Sequence, residues 1–164
     1  MTDIKSPSDR SRNMAAIKGK DTKPEMIVRK YLFSRGLRFR VQVRKLPGTP
    51  DIVLPKYKTA VFVNGCFWHG HERCKYFRLP KSNVEFWKEK IERNIERDRE
   101  SMLALLDLGW KVIHVWECEL RYKANREETL NKIYSSITST GGSDYSSEET
   151  DVPMAAEPEA DYSR

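Results

Sequence analysis

The stretch that organises the chain is Thr59-Ala60-Val61-Phe62-Val63-Asn64-Gly65-Cys66-Phe67-Trp68-His69-Gly70-His71-Glu72-Arg73-Cys74. Its first five residues are apolar or β-branched, which predicts a strand. The remainder contains two of the three cysteines, two of the three histidines and one of the four tryptophans in the 164-residue chain. In a chain of which 33% of the residues are charged, such a concentration of cysteine, histidine and aromatic residues is unusual. It predicts that the strand leads into a metal-binding, aromatic loop.

Three potential metal ligands, Cys66, His71 and Cys74, follow the spacing Cys-x4-His-x2-Cys. Structural zinc sites use four nitrogen or sulfur ligands. The remaining cysteine, Cys118, follows a second apolar run at residues 112–116, so it is predicted to complete the site. The alternative is that the cysteines pack as small apolar residues without a metal. The close spacing favours zinc.

Length and composition predict one domain with its own core. No apolar run approaches the ~18–20 residues of a membrane helix, and no segment resembles a signal peptide. An odd number of cysteines without those signals is typical of a reducing cytoplasm. We therefore expect a cytoplasmic protein with no membrane partner.

The formal net charge of +6 is unevenly distributed. Residues 138–164 contain seven acids and one base, which leaves 29 bases minus 17 acids, or +12, on residues 1–137. Such a basic body favours a polyanionic partner, most often nucleic acid; the alternative is a lysine-rich solvated surface. Residues 138–164 are poor in apolar side chains, which predicts a disordered acidic tail.

The N-terminal residues 1–20 are basic and include a short helix candidate at residues 11–17, which contains Met14. Cations beside a small apolar patch suit an arm that grips a DNA phosphate backbone. A flexible terminus is the alternative.

A helix is predicted from Thr22, a good N-cap, to Gly36. Glu25 stands at the capping-box position, three residues after the cap. It either closes that box or points toward a metal site as an outer carboxylate. A buried stripe is expected on this helix at Ile27, Val28, Tyr31 and Leu32.

Three strands are predicted next, at residues 37–43, 50–54 and 59–63. Asp51 begins the second strand, and the third ends about a dozen residues later, which is the frame of the PD-(D/E)xK nucleases. There an aspartate binds a divalent metal that stabilises charge on the phosphate. The alternative is a turn aspartate, and Phe62-Val63-Asn64 replaces the acid-x-lysine segment of that pattern.

A long helix is predicted between Asn83, as N-cap, and Gly109. Asp98 lies on its apolar face, where an ionised carboxylate requires a partner. That partner is either an arginine at the edge of the core or an imidazole, for which His69 is the candidate. The apolar positions on this face are Val84, Trp87, Ile91, Ile95, Met102 and Leu105.

A fourth strand at residues 110–116 and a final helix from Asn125, with Leu130, Ile133 and Ile137 facing inward, complete the chain. The order of helix, three strands, helix, strand and helix predicts an α/β fold with helices packed against a sheet.

Over roughly residues 8–137 the chain resembles the very-short-patch-repair (Vsr) DNA mismatch endonucleases. The resemblance implies a restriction-endonuclease-like, PD-(D/E)xK-type mixed sheet flanked by helices. It divides the chain into an N-terminal DNA-gripping arm (1–20), an endonuclease domain (21–137) and the tail (138–164). The matching residues are 9–14, 21, 22, 25, 46–51, 64–69, 71, 74, 86, 87, 94–98, 109, 110 and 115–118.

The activity implied by the resemblance is nicking of one strand of duplex DNA 5′ to the thymine of a T:G mismatch, the product of 5-methylcytosine deamination. The implied enzyme is a bacterial, nucleoid-associated monomer with functional links to a DNA cytosine-5 methyltransferase and to mismatch-repair proteins. Two alternatives stay open: a restriction-type, metal-dependent endonuclease of the same fold, and a zinc-stabilised DNA-binding protein without chemistry.

The resemblance also assigns roles to individual residues. Asp51 and the main-chain carbonyl of Val63 bind Mg²⁺, His69 supported by Asp98 activates the attacking water, and Glu25 acts on the metal through water. Structural Zn²⁺ is held by Cys66, His71, Cys74 and Cys118. The residues that wedge into the base stack are Phe67, Trp68, Trp87 and Met14.

Asn64 departs from the enterobacterial pattern, which has histidine at this position. Asparagine donates hydrogen bonds but does not shuttle a proton at neutral pH. We therefore count Asn64 among the catalytic candidates and expect activity to depend more heavily on His69.

Overall fold

The computed structural model of the chain describes residues 6–17 and 19–139, apart from the side chain of Arg10. Most of the predicted acidic tail and the first five residues of the predicted arm lie outside that range. The helices are α1 (Pro7–Ala15), α2 (Lys23–Ser34), α3 (Val84–Asp107), α4 (Glu117–Arg121) and α5 (Lys123–Thr138). The strands are β1 (Arg40–Val41), β2 (Ile52–Leu54), β3 (Thr59–Asn64) and β4 (Lys111–Trp116).

The four strands form one mixed sheet in the order β1-β2-β3-β4. The pairs β1–β2 and β2–β3 are antiparallel, whereas β3–β4 is parallel. A parallel pair requires a long crossover, which the segment containing α3 supplies. Asn64 at the end of β3 pairs with Trp116 at the end of β4, so the two strands end together. The predicted α/β fold with a mixed sheet is confirmed.

The core lies where α2 and α5 pack on the sheet. Val28 and Leu32 of α2 and Ile137 of α5 are fully buried, and they join one cluster with β-strand residues such as Ile52 and Val61. Burial of each such side chain contributes about 1.5–3 kcal/mol. The inward stripes predicted for α2 and α5 are therefore confirmed.

The predicted ends of α2 and α3 are also confirmed. Thr22 Oγ1 accepts a hydrogen bond from the backbone N–H of Glu25 at the start of α2. At its other end, Gly36 N–H bonds Phe33 O and Leu37 N–H bonds Leu32 O, the hydrogen-bond pattern of a Schellman cap. Gly109 ends α3 with the same pattern.

Several local predictions were wrong. The first strand spans Arg40–Val41 rather than residues 37–43, because Gln42 adopts a left-handed backbone with φ 50°. Asn83 precedes α3, but its side chain makes no capping hydrogen bond. Residues 117–121 form α4, which the sequence did not predict.

The apolar face of α3 also differs from the prediction. Val84 and Ile95 are each 42% exposed, because the first half of α3 packs on the loop after β3 instead of the sheet. In that loop Gly70 has φ 60°, and a Cβ there would lie 2.6 Å from Ile95 Cδ1. Glycine is therefore required for the close approach. None of the described helices has the length and apolar character to span a membrane.

Candidate active site and metal cluster

A cleft of about 780 Å³ opens between the start of α2, the middle of α3, the start of β2 and the C-terminal end of β3. These elements are far apart in sequence, and the β2–β3 hairpin together with the α3 crossover brings them to one place. All the residues predicted as catalytic or as Mg²⁺ ligands line this cleft: Glu25, Asp51, Val63, Asn64, His69 and Asp98.

Asp51 is held rigidly at the head of β2. Its Oδ2 accepts a hydrogen bond of 2.7 Å from the backbone N–H of Val63, and its Oδ1 accepts one of 3.1 Å from Gln42 Nε2. The β2–β3 ladder ends with Ile52, so the Asp51 side chain replaces the next main-chain acceptor. Burial raises the pKa of the Asp51 carboxyl, although the bonds from Val63 and Gln42 oppose the rise.

Glu25 ties down the first turn of α2 and also lines the cleft. It is only 3% exposed, and its oxygens accept hydrogen bonds from Thr22 Oγ1, from the backbone N–H of Asp21 and from Arg29. These bonds close the first turn of α2. Burial raises the pKa of Glu25, and the negative charge of Asp51 raises it further, while Arg29 opposes both. Two carboxylates that disfavour each other's charge are suited to sharing a cation.

His69 and Asp98 form a direct pair, with 2.5 Å between Nδ1 and Oδ2. Their side chains are 30% and 33% exposed, so the pair lies at the cleft surface. The partner of Asp98 is therefore the imidazole and not an arginine. Because the carboxylate binds Nδ1, Nε2 is the ring nitrogen that can act on a ligand in the cleft.

Two cleft residues that hydrogen-bond predicted site residues, His114 and Gln42, were not predicted from the sequence. His114 lies on β4 in register with Phe62 of β3, and the two rings stack with centroids 5.3 Å apart. Asn64 Nδ2 lies 3.2 Å from His114 Nδ1. The other unpredicted residue is Gln42, which fixes Asp51. Only the strand register brings His114 into the cleft, because in sequence it interrupts an apolar run without any motif.

The four predicted zinc ligands form a second group. The ligand atoms of Cys66, His71, Cys74 and Cys118 all lie within 4.8 Å of one another. A zinc tetrahedron with Zn–S bonds of ~2.3 Å has sulfur–sulfur edges of about 3.8 Å, so both the spacing and the donor set fit a metal ion. The His71 ring stacks on Trp116 with centroids 4.0 Å apart, which fixes its orientation.

The parallel register explains why these ligands converge. Asn64 and Trp116 are the last residue pair of the two strands. Cys66 lies two residues after Asn64, and Cys118 lies two residues after Trp116. Burial and the neighbouring thiol of Cys66 raise the pKa of Cys118 to about 12. The thiolate form therefore requires a nearby cation, and a bound metal ion would supply that charge.

The cluster and the cleft are adjacent but separate. None of the four cluster residues lines the cleft, whereas Gly65 and Glu117, the residues just before Cys66 and Cys118, do. His69 lies between Cys66 and His71 in the chain, so a metal ion in the cluster would restrain the loop that positions the imidazole.

Three of the four predicted wedge residues are in mutual contact. Phe67, Trp68 and Trp87 have ring centroids 5.1–5.9 Å apart, and Lys90 Nζ lies 5.4 Å from the centroid of the Trp68 ring. Met14 is on α1 and is 42% exposed. Phe67, Trp68 and Trp87 thus form one aromatic group, and Trp68 lines the cleft.

Comparison with known proteins shows the family of this chain. The family profile for DNA mismatch endonuclease Vsr matches residues 2–75. The type II nicking enzyme V.NmeAIP of Neisseria meningitidis is 52% identical over 137 residues, which cover 84% of this chain and 97% of that protein.

The chain belongs to the Vsr family of DNA mismatch endonucleases.

Other members of the Vsr family are similarly close. The DNA mismatch endonuclease Vsr of Escherichia coli is 47% identical, with 74% of this chain and 77% of that protein covered. The type II nicking enzyme V.XorIIP of Xanthomonas oryzae is 47% identical, with 81% and 97% covered. The family resemblance predicted from sequence motifs is therefore confirmed. The match to V.NmeAIP is long enough to include Asp98, which lies past the end of the Vsr profile match.

Proposed function

We propose that this chain is a magnesium-dependent DNA endonuclease that nicks one strand of a duplex 5′ to the thymine of a T:G mismatch. The observation that carries the proposal is the convergence of Asp51 and the His69–Asp98 pair on one cleft in a member of the Vsr family. The curated relatives are named as mismatch endonucleases or nicking enzymes, which supports this activity.

We place Mg²⁺ at Asp51, with the main-chain carbonyl of Val63 as a further ligand and Glu25 nearby. These are oxygen donors, which Mg²⁺ prefers, and the raised pKa values of both carboxyls indicate negative charge that lacks full compensation. The ion would supply Lewis-acid polarisation of the phosphate and stabilise the charge that develops on it.

His69 acts in this proposal as the general base. Its Nε2 accepts a proton from a water molecule while the water oxygen forms a bond to phosphorus. The bond from phosphorus to the leaving sugar oxygen breaks, and that oxygen takes a proton from solvent to become a hydroxyl. Asp98 holds the ring through Nδ1 and stabilises the imidazolium that results. Hydrogen bonds from Thr22 and Arg29 hold the Glu25 carboxylate in place during this step. Those from Val63 and Gln42 hold the Asp51 carboxylate.

We propose structural zinc at Cys66, His71, Cys74 and Cys118. The metal would connect the loop after β3 to the first turn of α4, and so hold His69 at a fixed distance from Asp98. This arrangement fits a closed, four-ligand site without an open position for substrate.

Mismatch recognition is assigned to the aromatic group. A mispaired step costs less to unstack, and inserted side chains recover that free energy by stacking on the exposed bases. Phe67, Trp68 and Trp87 are in place beside the cleft, and Met14 would join them from α1. The charge of +12 on residues 1–137 favours the phosphate backbone on either side.

The strand arrangement also supports a restriction-endonuclease-like, PD-(D/E)xK-type core. Asp51 precedes a short buried strand that pairs antiparallel with β3, and β3 in turn pairs parallel with β4. Monomeric action and links to a cytosine-5 methyltransferase and to mismatch-repair proteins remain predictions from the family resemblance.

A paired nicking assay tests the proposal. Two duplexes that differ only in a T:G or a T:A pair are incubated with the zinc-loaded protein, with and without Mg²⁺. We expect one nick, in the T:G duplex alone and only with Mg²⁺. Cleavage of both duplexes would indicate a restriction-type enzyme, and binding without cleavage would indicate a non-catalytic DNA-binding protein.

A further inference from the structure

His114 is a second imidazole in the cleft that the proposed mechanism does not use. It lines the same wall as His69 and Asp98, and its ring is held between two fixed contacts. One contact is the stack on Phe62, with ring planes 14° apart. The other is the 3.2 Å hydrogen bond between its Nδ1 and Asn64 Nδ2.

The bond to Asn64 determines where the His114 proton lies. An amide nitrogen only donates hydrogen bonds, so Nδ1 must be the acceptor and therefore carries no proton. The proton of the neutral ring is then on Nε2. Burial is the largest cause and lowers the pKa of His114, while the negative charge of Asp98 opposes this. The ring is thus maintained as a neutral Nε2–H donor.

Such a donor suits the charge of the cleft. The described wall contains four carboxylates and one lysine, namely Glu25, Asp51, Asp98, Glu117 and Lys23, and a phosphate in its transition state adds further negative charge. The amides on the sheet side are already engaged, because Gln42 donates to Asp51 and Asn64 donates to His114. A donor held in place before the reaction stabilises developing charge without reorganisation.

We propose that His114 is a further catalytic residue, whose Nε2–H donates a hydrogen bond to an oxygen of the scissile phosphate, and that Asn64 is the positioning residue that sets its tautomer. This inference rests on the proposed endonuclease function. It also changes the expectation for Asn64. The asparagine acts through the imidazole of His114 on β4, so the heavier dependence of activity expected of His69 is shared with His114.

Two substitutions separate hydrogen bonding from packing. His114→Gln keeps an amide N–H near the position of Nε2, whereas His114→Leu fills similar space without a donor. In single-turnover nicking of the T:G duplex we expect the leucine variant to be about 10²–10³-fold slower, the usual loss for one such donor, and the glutamine variant to stay within about tenfold of the parent. Binding of the T:G duplex should change little in either variant.

A measurement on the unsubstituted protein tests the proposal even if the variants do not fold. Long-range ¹H–¹⁵N spectra of the zinc-loaded protein report the protonated nitrogen of each of the three histidines. We expect a neutral His114 with its proton on Nε2 at pH 7.5, and loss of that tautomer preference in Asn64→Leu. A proton on Nδ1 of the unsubstituted protein would overturn the proposal.

The outcomes distinguish the two proposals. If the parent nicks the T:G duplex and His114→Leu is equally fast, the role of His114 is refuted and the endonuclease function stands. If the leucine and glutamine variants are equally slow, ring packing and not hydrogen bonding is responsible, and the proposal also fails. If the parent does not nick at all, the endonuclease function fails and this inference fails with it.

Discussion

The cysteine–histidine cluster and the cleft lie side by side at the ends of β3 and β4, yet they relate to stability in opposite ways. In the cluster, four donors converge within 4.8 Å and fit one metal ion, so occupancy would connect two segments and stabilise the fold. In the cleft, burial raises the pKa values of Asp51 and Glu25, so their ionised forms destabilise the folded chain. A metal ion in the cluster would stabilise the fold, whereas the buried carboxylates of the cleft reduce its stability.

The largest expected effect is on the cleft side of this comparison. Asp51→Asn removes the charge but keeps the shape, and Gln42 can rotate its amide to satisfy the new side chain. We expect single-turnover nicking to fall by about 10³-fold or more, because the metal provides several kcal/mol of stabilisation. Zinc content and affinity for the T:G duplex should match the parent. Loss of folded structure in this variant would instead make Asp51 a structural residue.

The next effect is on the cluster side. Cys118→Ser removes one of four donors, so we expect loss of bound zinc and a decrease in the unfolding midpoint of about 6–12 °C, equivalent to about 3 kcal/mol. Nicking should also decrease, because the loop that carries His69 is released. Chelation of zinc from the parent protein is the matched control and should reproduce the same melting curve. A variant that keeps full stability would show that the cysteines are simple packing residues.

Asp98→Asn tests the His69 pair within the cleft. The amide presents an N–H to Nδ1 and so favours the wrong tautomer, for which we expect nicking to slow by about 10²-fold. The exposed acid Asp107, at the end of the same helix, provides the control, since Asp107→Asn should be neutral. Equal rates in both variants would remove Asp98 from the mechanism.

Substitution in the aromatic group tests whether mismatch selectivity is separate from both the metal cluster and the cleft. Trp87→Ala should weaken binding of the T:G duplex by about 5–150-fold, the equivalent of 1–3 kcal/mol of base stacking. Phe86, its 53% exposed neighbour, is the matched control and should have a smaller effect on substitution by alanine. Equal weakening of T:G and T:A duplexes would contradict a role at the mismatch.

The smallest effect concerns pH. A carboxyl whose pKa is raised in the folded protein makes stability decrease as pH rises above its ordinary pKa of 3.8. Asp51→Asn lacks this loss, so in zinc-loaded, magnesium-free protein we expect its unfolding midpoint at pH 7.5 to exceed that of the parent by about 2–4 °C. The difference should shrink as pH falls toward 4. An Asn variant less stable than the parent at pH 7.5 would contradict the sign of the shift.

Sequence alone predicted the cluster better than the cleft, for a physical reason. Cys66, His71 and Cys74 are close in the chain, so their spacing already restricts their geometry. Asp98 was also predictable, because a carboxylate on an apolar helix face must have a partner. His114 could not be predicted, because it reaches the cleft only through the pairing of β4 with β3.

The predicted fold elements show the same limit. The ends of α2 and α3 followed from local capping signals at Thr22, Gly36 and Gly109. The length of β1 did not, since Gln42 turns away from the sheet and donates a hydrogen bond to Asp51, the residue just before β2. Likewise Ile95 belongs to an apolar stripe in sequence, but the loop containing Gly70 covers only part of it.

The equal two-residue distance from the Asn64–Trp116 pair to Cys66 and to Cys118 has a consequence for assembly. The last ligand, Cys118, lies on α4 just after β4 and is synthesised long after the first three, and a slip of one residue between β3 and β4 would move the thiols apart. Metal capture can therefore finish only on correctly aligned chains. The ion would serve as a checkpoint for maturation, retained by molecules whose catalytic groups are already aligned and lost from those in which they are not.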